Sequence, residues 1–132
     1  GEGNLLLGAT YIRYTAHWLM LPLLFIVAGM ILRGADFKFA SSKYPNNADA
    51  WNYLGFSSRK LGKYEESEVA YKKALSINPD HVGALEYYGE LHLTLKRPEK
   101  AKALLAKLKT LCTLNCKEMQ QLEAAIKTYE SQ

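Results

Sequence analysis

Few side chains in this chain stand where their type and spacing could support chemistry. There are three histidines, His17, His81 and His92, and two cysteines, Cys112 and Cys116. His17 lies near one end of a long apolar run. An ionisable residue at such a place in a membrane segment marks a candidate functional position. Its imidazole could ligate the metal of a haem or a chlorophyll-type pigment, or it could be an interfacial histidine hydrogen-bonded to a neighbour or a lipid headgroup. Cys112 and Cys116 are four residues apart across an expected turn. They could bridge if their Cβ atoms approach about 3.8 Å, contribute to a metal site if two more ligands joined them, or remain free thiols. The remaining histidines, His81 and His92, fall on other helices. No Gly-rich phosphate loop, H-E-x-x-H, nucleophile elbow or Cys-x-x-Cys pair occurs. The expectation is a protein without an enzymatic role.

These residues must be positioned by elements of two different kinds. The 132 residues suit one small domain with an appendage, and 48% hydrophobic with 23% charged residues is an ordinary folded composition. The charges are unevenly placed. From Tyr14 to Leu32 there is no Asp, Glu, Lys or Arg, whereas from Asn46 onward 13 Lys and Arg stand against 11 Asp and Glu. The net charge of +4 is spread over both halves without a basic block, so no nucleic-acid footprint is present and nucleic acid is not an expected partner.

The apolar run Tyr14–Leu32 is 19 residues long, close to the roughly 20 that a helix needs to cross a bilayer core. Arg13 and Arg33 flank it, with Tyr11, Tyr14 and Trp18 at one end, as interfacial anchoring favours. Pro22 is tolerated in a membrane helix. The competing readings are a buried core helix, for which the chain offers no sufficiently apolar partner, and a signal peptide, for which the run is long and lacks an A-x-A site. The preferred expectation is a retained single-pass helix over residues 14–33, with residues 1–13 as an N-terminal segment and residues 34–47 as a linker. Ala16, Ala28 and Gly29 would permit close packing against other membrane helices.

The strongest signal is an internal period. Trp51-x2-Leu54-Gly55, Leu61-Gly62-x-Tyr64, Ser67-x3-Tyr71-x2-Ala74 and Pro79 are echoed 34 residues later. The echoes are Leu85-x2-Tyr88-Gly89, Leu95, Pro98 and Ala101-x3-Leu105-x2-Leu108. Glycine inside a helix costs stability unless close packing requires it, so Gly55 and Gly89 point to a tightly apposed partner helix. Leu61-Gly62-Lys63-Tyr64 and Asn78-Pro79-Asp80 punctuate the helices, and Pro98 suits the first turn of a fourth. Lys117–Ser131 places Met119, Leu122, Ile126 and Tyr129 on one face, as a terminal cap would. Asn115 is the expected cap residue of that last helix.

This pattern resembles the tetratricopeptide repeat family, closely over Ala48–His81 and more loosely over Val82–Asn115. Ser58 and Ser67 depart from it by replacing the usual Tyr and Ala. The resemblance implies a short array of two repeats over residues 48–115, closed by the capping helix over 116–132; with the apolar run before it, the expected fold is all-α, a single transmembrane helix followed by this array. It also implies a concave groove lined by the inner helix of each pair. The groove candidates are Asp49, Asn52, Phe56, Arg59 and Lys60 in the first repeat and Glu86, Glu90 and Leu93 in the second. Asn52 and Phe56 stand where the chaperone-tail-binding branch of the family has Lys and Asn, which argues against that ligand. Two repeats and a cap fall short of the usual three, so stability is expected to be marginal without help from the membrane helix, a disulfide or a partner.

Two further resemblances bear on function. The stretch Ile12-Arg13-Tyr14…His17…Pro22…Leu24-Phe25-Ile26…Ala28-Gly29 resembles the haem-binding alpha subunit of the cytochrome b of photosystem II, which would make His17 a ligand for haem or bacteriochlorophyll. The ending from Leu111-Cys112 through Cys116-Lys117-Glu118 to Leu122, Ala125-Ile126 and Tyr129 resembles small exported bacterial tetratricopeptide proteins. A disulfide belongs in an oxidising compartment. The flanking charges lean the other way, toward a cytoplasmic second half. The cysteines are given precedence, so the expected location is a bacterial inner membrane with the repeats in the periplasm. The expected function is a membrane-anchored scaffold, an accessory or assembly subunit of a respiratory or photosynthetic complex, with other subunits and lipid as partners. The alternatives are a periplasmic chaperone-like receptor, such as a cytochrome maturation factor, and a pigment-carrying subunit.

Overall fold

A computed structural model describes residues 42–114 and 116–132. The chain divides into two units, Gly1–Ala35 and Asp36–Gln132, and the described residues belong to the second. The expected membrane helix over 14–33, His17, and the linker residues before Ser42 lie outside the described residues. Among the described residues no helix is long and apolar enough to cross a membrane.

From Ala48 onward the described residues form five helices: α1 Ala48–Lys60, α2 Tyr64–Ile77, α3 Val82–Thr94, α4 Pro98–Leu111 and α5 Lys117–Glu130. The helix starts and stops follow local chemistry. Asn47 caps α1 by accepting from the Ala50 amide at 3.2 Å, and the Trp51 indole donates to the Pro45 carbonyl at 2.8 Å, tying the entry segment to the helix. The hairpin between α1 and α2 turns at Gly62, whose φ of 76° is left-handed. There the Gly62 and Lys63 amides close onto Arg59 and Ser58 carbonyls. The second hairpin repeats this turn 34 residues on. The Lys96 and Arg97 amides bond the Leu93 and His92 carbonyls, and Lys96 takes the left-handed position with φ 59°. The period therefore survives in the backbone even where the glycine has been lost.

Helices α1 and α2 pair, as do α3 and α4; α3 packs on the first pair, and α5 packs on both α3 and α4. Between α1 and α2 the contact is close because Gly55 faces the ring of Tyr71. A Cβ at Gly55 would come within 2.5 Å of that ring. Tyr71 is fully buried and stacks on Tyr88 of α3, with ring centroids 5.7 Å apart. One side chain thus fills both the hairpin and the seam between repeats. At Gly89 the expected neighbour was the paired helix α4. Instead, the space is taken by Leu122 of α5, whose Cδ1 would be 2.6 Å from an added Cβ. The second glycine serves the cap. The largest apolar cluster lies at that end, built from Leu85, Leu93, Ala101, Leu105, Leu108, Leu122 and Ile126.

Ser67, a departure from the repeat pattern, also has a structural use. Its hydroxyl donates to the Gly55 carbonyl across the helix pair at 2.6 Å and is buried. A polar network clasps the seam between repeats, in which Glu68 accepts from the Tyr88 hydroxyl at 2.9 Å and from Arg97 at 3.0 Å. Burial works to raise the Glu68 pKa, but the Tyr88 hydrogen bond and the charges of Lys72 and Arg97 hold it below the usual carboxylate value.

Cys112 caps the end of α4 and Cys116 the start of α5, and the two are bonded as a disulfide with Cα atoms 5.7 Å apart. The N-cap of α5 is Cys116 and not the expected Asn115. The bridge joins the two cap residues directly, so the turn is closed covalently where a side-chain cap was anticipated. Among the described residues no group of three or more His, Cys, Asp and Glu could hold a metal.

Candidate functional site

The inner helices α1 and α3, with α5 beyond them, line an open groove of about 530 Å³. Helical periodicity brings residues three and four apart to one face of a helix; of the groove candidates Arg59 of α1 and Glu90 and Leu93 of α3 line this groove. Beside Arg59, which lines it, Phe56 and Tyr87 meet with ring centroids 5.0 Å apart. The Arg59 guanidinium lies 5.8 Å from the Phe56 ring and 5.9 Å from that of Tyr87, and Lys60 Nζ lies 5.4 Å from Phe56. These distances are within the reach of cation–π attraction. Arg59 also pairs with Glu90 at 2.6 Å, joining the two repeats across the groove. Its Nε is buried without a hydrogen-bond partner.

The floor continues through Thr94 to Ala125, Thr128 and Tyr129 of α5. The capping helix thus contributes a wall as well as closing the core. Glu86 is only 3% exposed. Burial, reinforced by the nearby carboxylates of Glu90 and Glu118, pushes its pKa up to about 7. Burial and the same flanking acids, Glu86 and Glu90, also raise the Tyr87 phenol.

The structure redistributes several residues expected to share one surface. Phe56, Arg59, Lys60 and Glu90 form one cluster. Leu93 is 8% exposed and packs in the core under α5, yet it still lines the groove. Glu86 is buried and does not line it. Asp49 is engaged with His81, whose Nδ1 accepts from the Ala84 amide at 3.0 Å while Nε2 lies 2.7 Å from the Asp49 carboxylate. With Nδ1 accepting, Nε2 is left to donate. His81 is therefore the N-cap of α3, tied back to α1. His92 is buried against the Tyr88 ring at 4.2 Å, and burial lowers its pKa. Both histidines have structural roles apart from Cys112 and Cys116.

Sequence reasoning missed Tyr87 and the α5 wall. The signal for Tyr87 was present in the pair Tyr87-Tyr88. Neighbouring helical residues point about 100° apart, so with Tyr88 in the core Tyr87 must stand toward its edge. The α5 wall had no such signal, because it depends on how the last helix lies on α3.

Residues 48–81, which are α1, α2 and their flanking turns, match the family model of the tetratricopeptide repeat. Over 47 residues the chain is 34% identical to tetratricopeptide repeat protein 37 of Xenopus laevis, a stretch that is 36% of this chain and 3% of that protein. The chain therefore spans a very small part of that relative's length. The match and the helix-pair geometry agree: the chain carries a repeat of the tetratricopeptide kind over residues 48–81, a type of module that serves protein–protein interaction.

Proposed function

We propose that the array is a non-catalytic docking module that seats an extended segment of a partner protein in the groove formed by α1, α3 and α5. The observation that carries this reading is Arg59 bridging to Glu90 in an open groove, with the Phe56 and Tyr87 rings packed beside the guanidinium. Aromatic and arginine side chains in desolvated settings dominate the energetics of protein interfaces. The partner is a subunit of a membrane assembly, and the module is held near the bilayer by the apolar run Tyr14–Leu32. The disulfide Cys112–Cys116 supports an oxidising compartment, the periplasm of a bacterial inner membrane.

Photo-crosslinking from the groove tests the docking surface. A benzophenone amino acid at Lys60, beside Phe56, is expected to give discrete adducts in intact membranes, and Phe56→Ala in the same chain is expected to remove them. The probe at Val69 of α2, which is 64% exposed and does not line the groove, should give none. Equal adducts from both positions would overturn the reading. Alkylation of the two cysteines in intact cells, with and without reductant, tests the compartment; free thiols would exclude the periplasm.

A further inference from the structure

Lys96 combines a strained backbone with a side chain that the fold does not use. It takes the left-handed position, φ 59°, where the first hairpin, 34 residues earlier, has Gly62 at φ 76°. That conformation is strained for a residue with a Cβ, and a glycine would relieve it. No contact within the fold offsets the strain. The side chain is exposed, and among the described residues its ammonium meets no carboxylate, no carbonyl and no ring. Strain kept at such a position points to a use outside the fold.

Lys96 lines the groove. Three charged residues do so, Arg59, Glu90 and Lys96. Arg59 and Glu90 are joined at 2.6 Å and cancel, which leaves the Lys96 ammonium as the uncompensated charge of the lining. Beside it the wall is apolar, formed by Leu93, Ala125 and the Tyr129 ring. Thr94 and Thr128 also line the groove, and their hydroxyls donate to the Glu90 and Ala124 carbonyls at 3.1 and 3.0 Å. Their oxygens are left to accept from the amides of a passing backbone. One cation, an apolar wall and hydroxyl acceptors have one complement: an extended chain with a single negative side chain beside an apolar one. A terminal carboxylate suits a bidentate fork, and the Arg59 fork is already engaged by Glu90. A phosphate would bring nearly two negative charges to one ammonium.

We propose that the segment docked in the groove carries an aspartate or glutamate whose carboxylate pairs with the Lys96 ammonium, next to an apolar side chain packed on Leu93, Ala125 and Tyr129. This inference rests on the groove being a docking site for an extended segment, and it names the chemistry of that segment.

Selection of a displayed library of random nonapeptides on the full chain tests the proposal. Wild-type protein is expected to enrich peptides with an acidic residue at one fixed position. A selected peptide is then made with acetylated and amidated ends, so that the side chain is its candidate anion. Replacing the acid by the matching amide residue is expected to weaken binding to wild type about twofold to fivefold, the size of an exposed ion pair. The loss should shrink with added salt. The same replacement should leave binding to Lys96→Gly unchanged and should strengthen binding to Lys96→Glu. Lys96→Gly keeps the fold, because it relieves the left-handed backbone. It is expected to bind the acidic peptide less well while being the more stable protein, a combination that a merely structural lysine would not give. Peptides enriched without a fixed acid, an amide replacement that leaves wild-type binding intact or weakens wild type and Lys96→Gly alike, or a capped peptide that no longer binds would overturn the Lys96 pairing and leave the docking groove standing. Failure to enrich any peptide would overturn the groove as a docking site and the pairing with it.

Discussion

Substituting the two glycines Gly55 and Gly83 separates packing from helix propensity. Gly55 lies in the interior of α1, where replacement with alanine brings a propensity gain of up to about 1 kcal/mol, and Gly83 in the first turn of α3, where the gain is smaller. They differ in what the new methyl meets. At Gly55 it would lie 2.5 Å from two atoms of the Tyr71 ring and 2.8 Å from a third. That ring cannot retreat, because Tyr71 is 0% exposed and is backed by Tyr88 at 5.7 Å. Overpacking of a filled core costs about 1–3 kcal/mol. At Gly83 the nearest atom is Asn52 Nδ2 at 3.2 Å, the end of a side chain that can turn aside. Gly83→Ala is therefore expected to be neutral or mildly stabilising. Gly55→Ala is expected to be less stable than Gly83→Ala by up to about 2–3 kcal/mol, the overpacking cost less the larger propensity gain at the interior position. For an array of this size that is a separation in Tm of roughly 4–8 °C per kcal/mol. Urea titration followed by circular dichroism at the helix band, on the full chain, would measure it, with an unchanged m-value showing that the same surface unfolds. If Gly55→Ala proved as stable as Gly83→Ala, the close approach of Tyr71 to α1 would be wrong.

Four further outcomes are expected. Lys96→Gly should raise stability by about 1 kcal/mol in the same titration, because a left-handed backbone costs a residue with a Cβ about that much and Lys96 sits at φ 59°. Glu68→Ala should cost about 1–3 kcal/mol, since the Tyr88 hydroxyl and Arg97 lose their shared acceptor. The Glu86 carboxyl is raised from 4.5 to about 7 in the folded state. Its protonated form is favoured by folding, so stability at this site falls as pH rises from about 4.5 through about 7; Glu86→Gln should flatten that part of the pH profile and be the more stable protein on the alkaline side. Reduction of Cys112–Cys116, which closes a loop of sequence separation 4, should cost about 2 kcal/mol on the loop-entropy relation, with hydrogen exchange rising in α5 before α1 and α2.

The five helices and their pairing were legible because their signals are local. Hydrophobic spacing, Pro79 and Pro98, the glycine at position 62 and the 34-residue echo each act within a few residues or through one repeat length. The groove cluster was legible in part. Phe56, Arg59, Lys60 and Glu90 follow from helical periodicity together with the likeness to a known repeat. Glu86 did not, because periodicity says which face a residue occupies and not what covers that face. The role of His81 was equally hidden: a histidine cap bonded to Asp49, 32 positions away, depends on two helices lying side by side.

By itself the sequence determined that this chain contains an apolar run with basic and aromatic flanks, and after it a pair of helical hairpins with an amphipathic end helix. It also determined that Cys112 and Cys116 fall at one turn. Only the tertiary structure decided that α5 lies across α3. That single placement turned Gly89 toward Leu122, buried Leu93, sank Glu86 among acids and made Tyr129 and Thr128 a wall of the groove. The reason is physical: the patterns that form a helix are read along a few turns of chain, whereas desolvation and charge complementarity at a site arise from elements that meet in space.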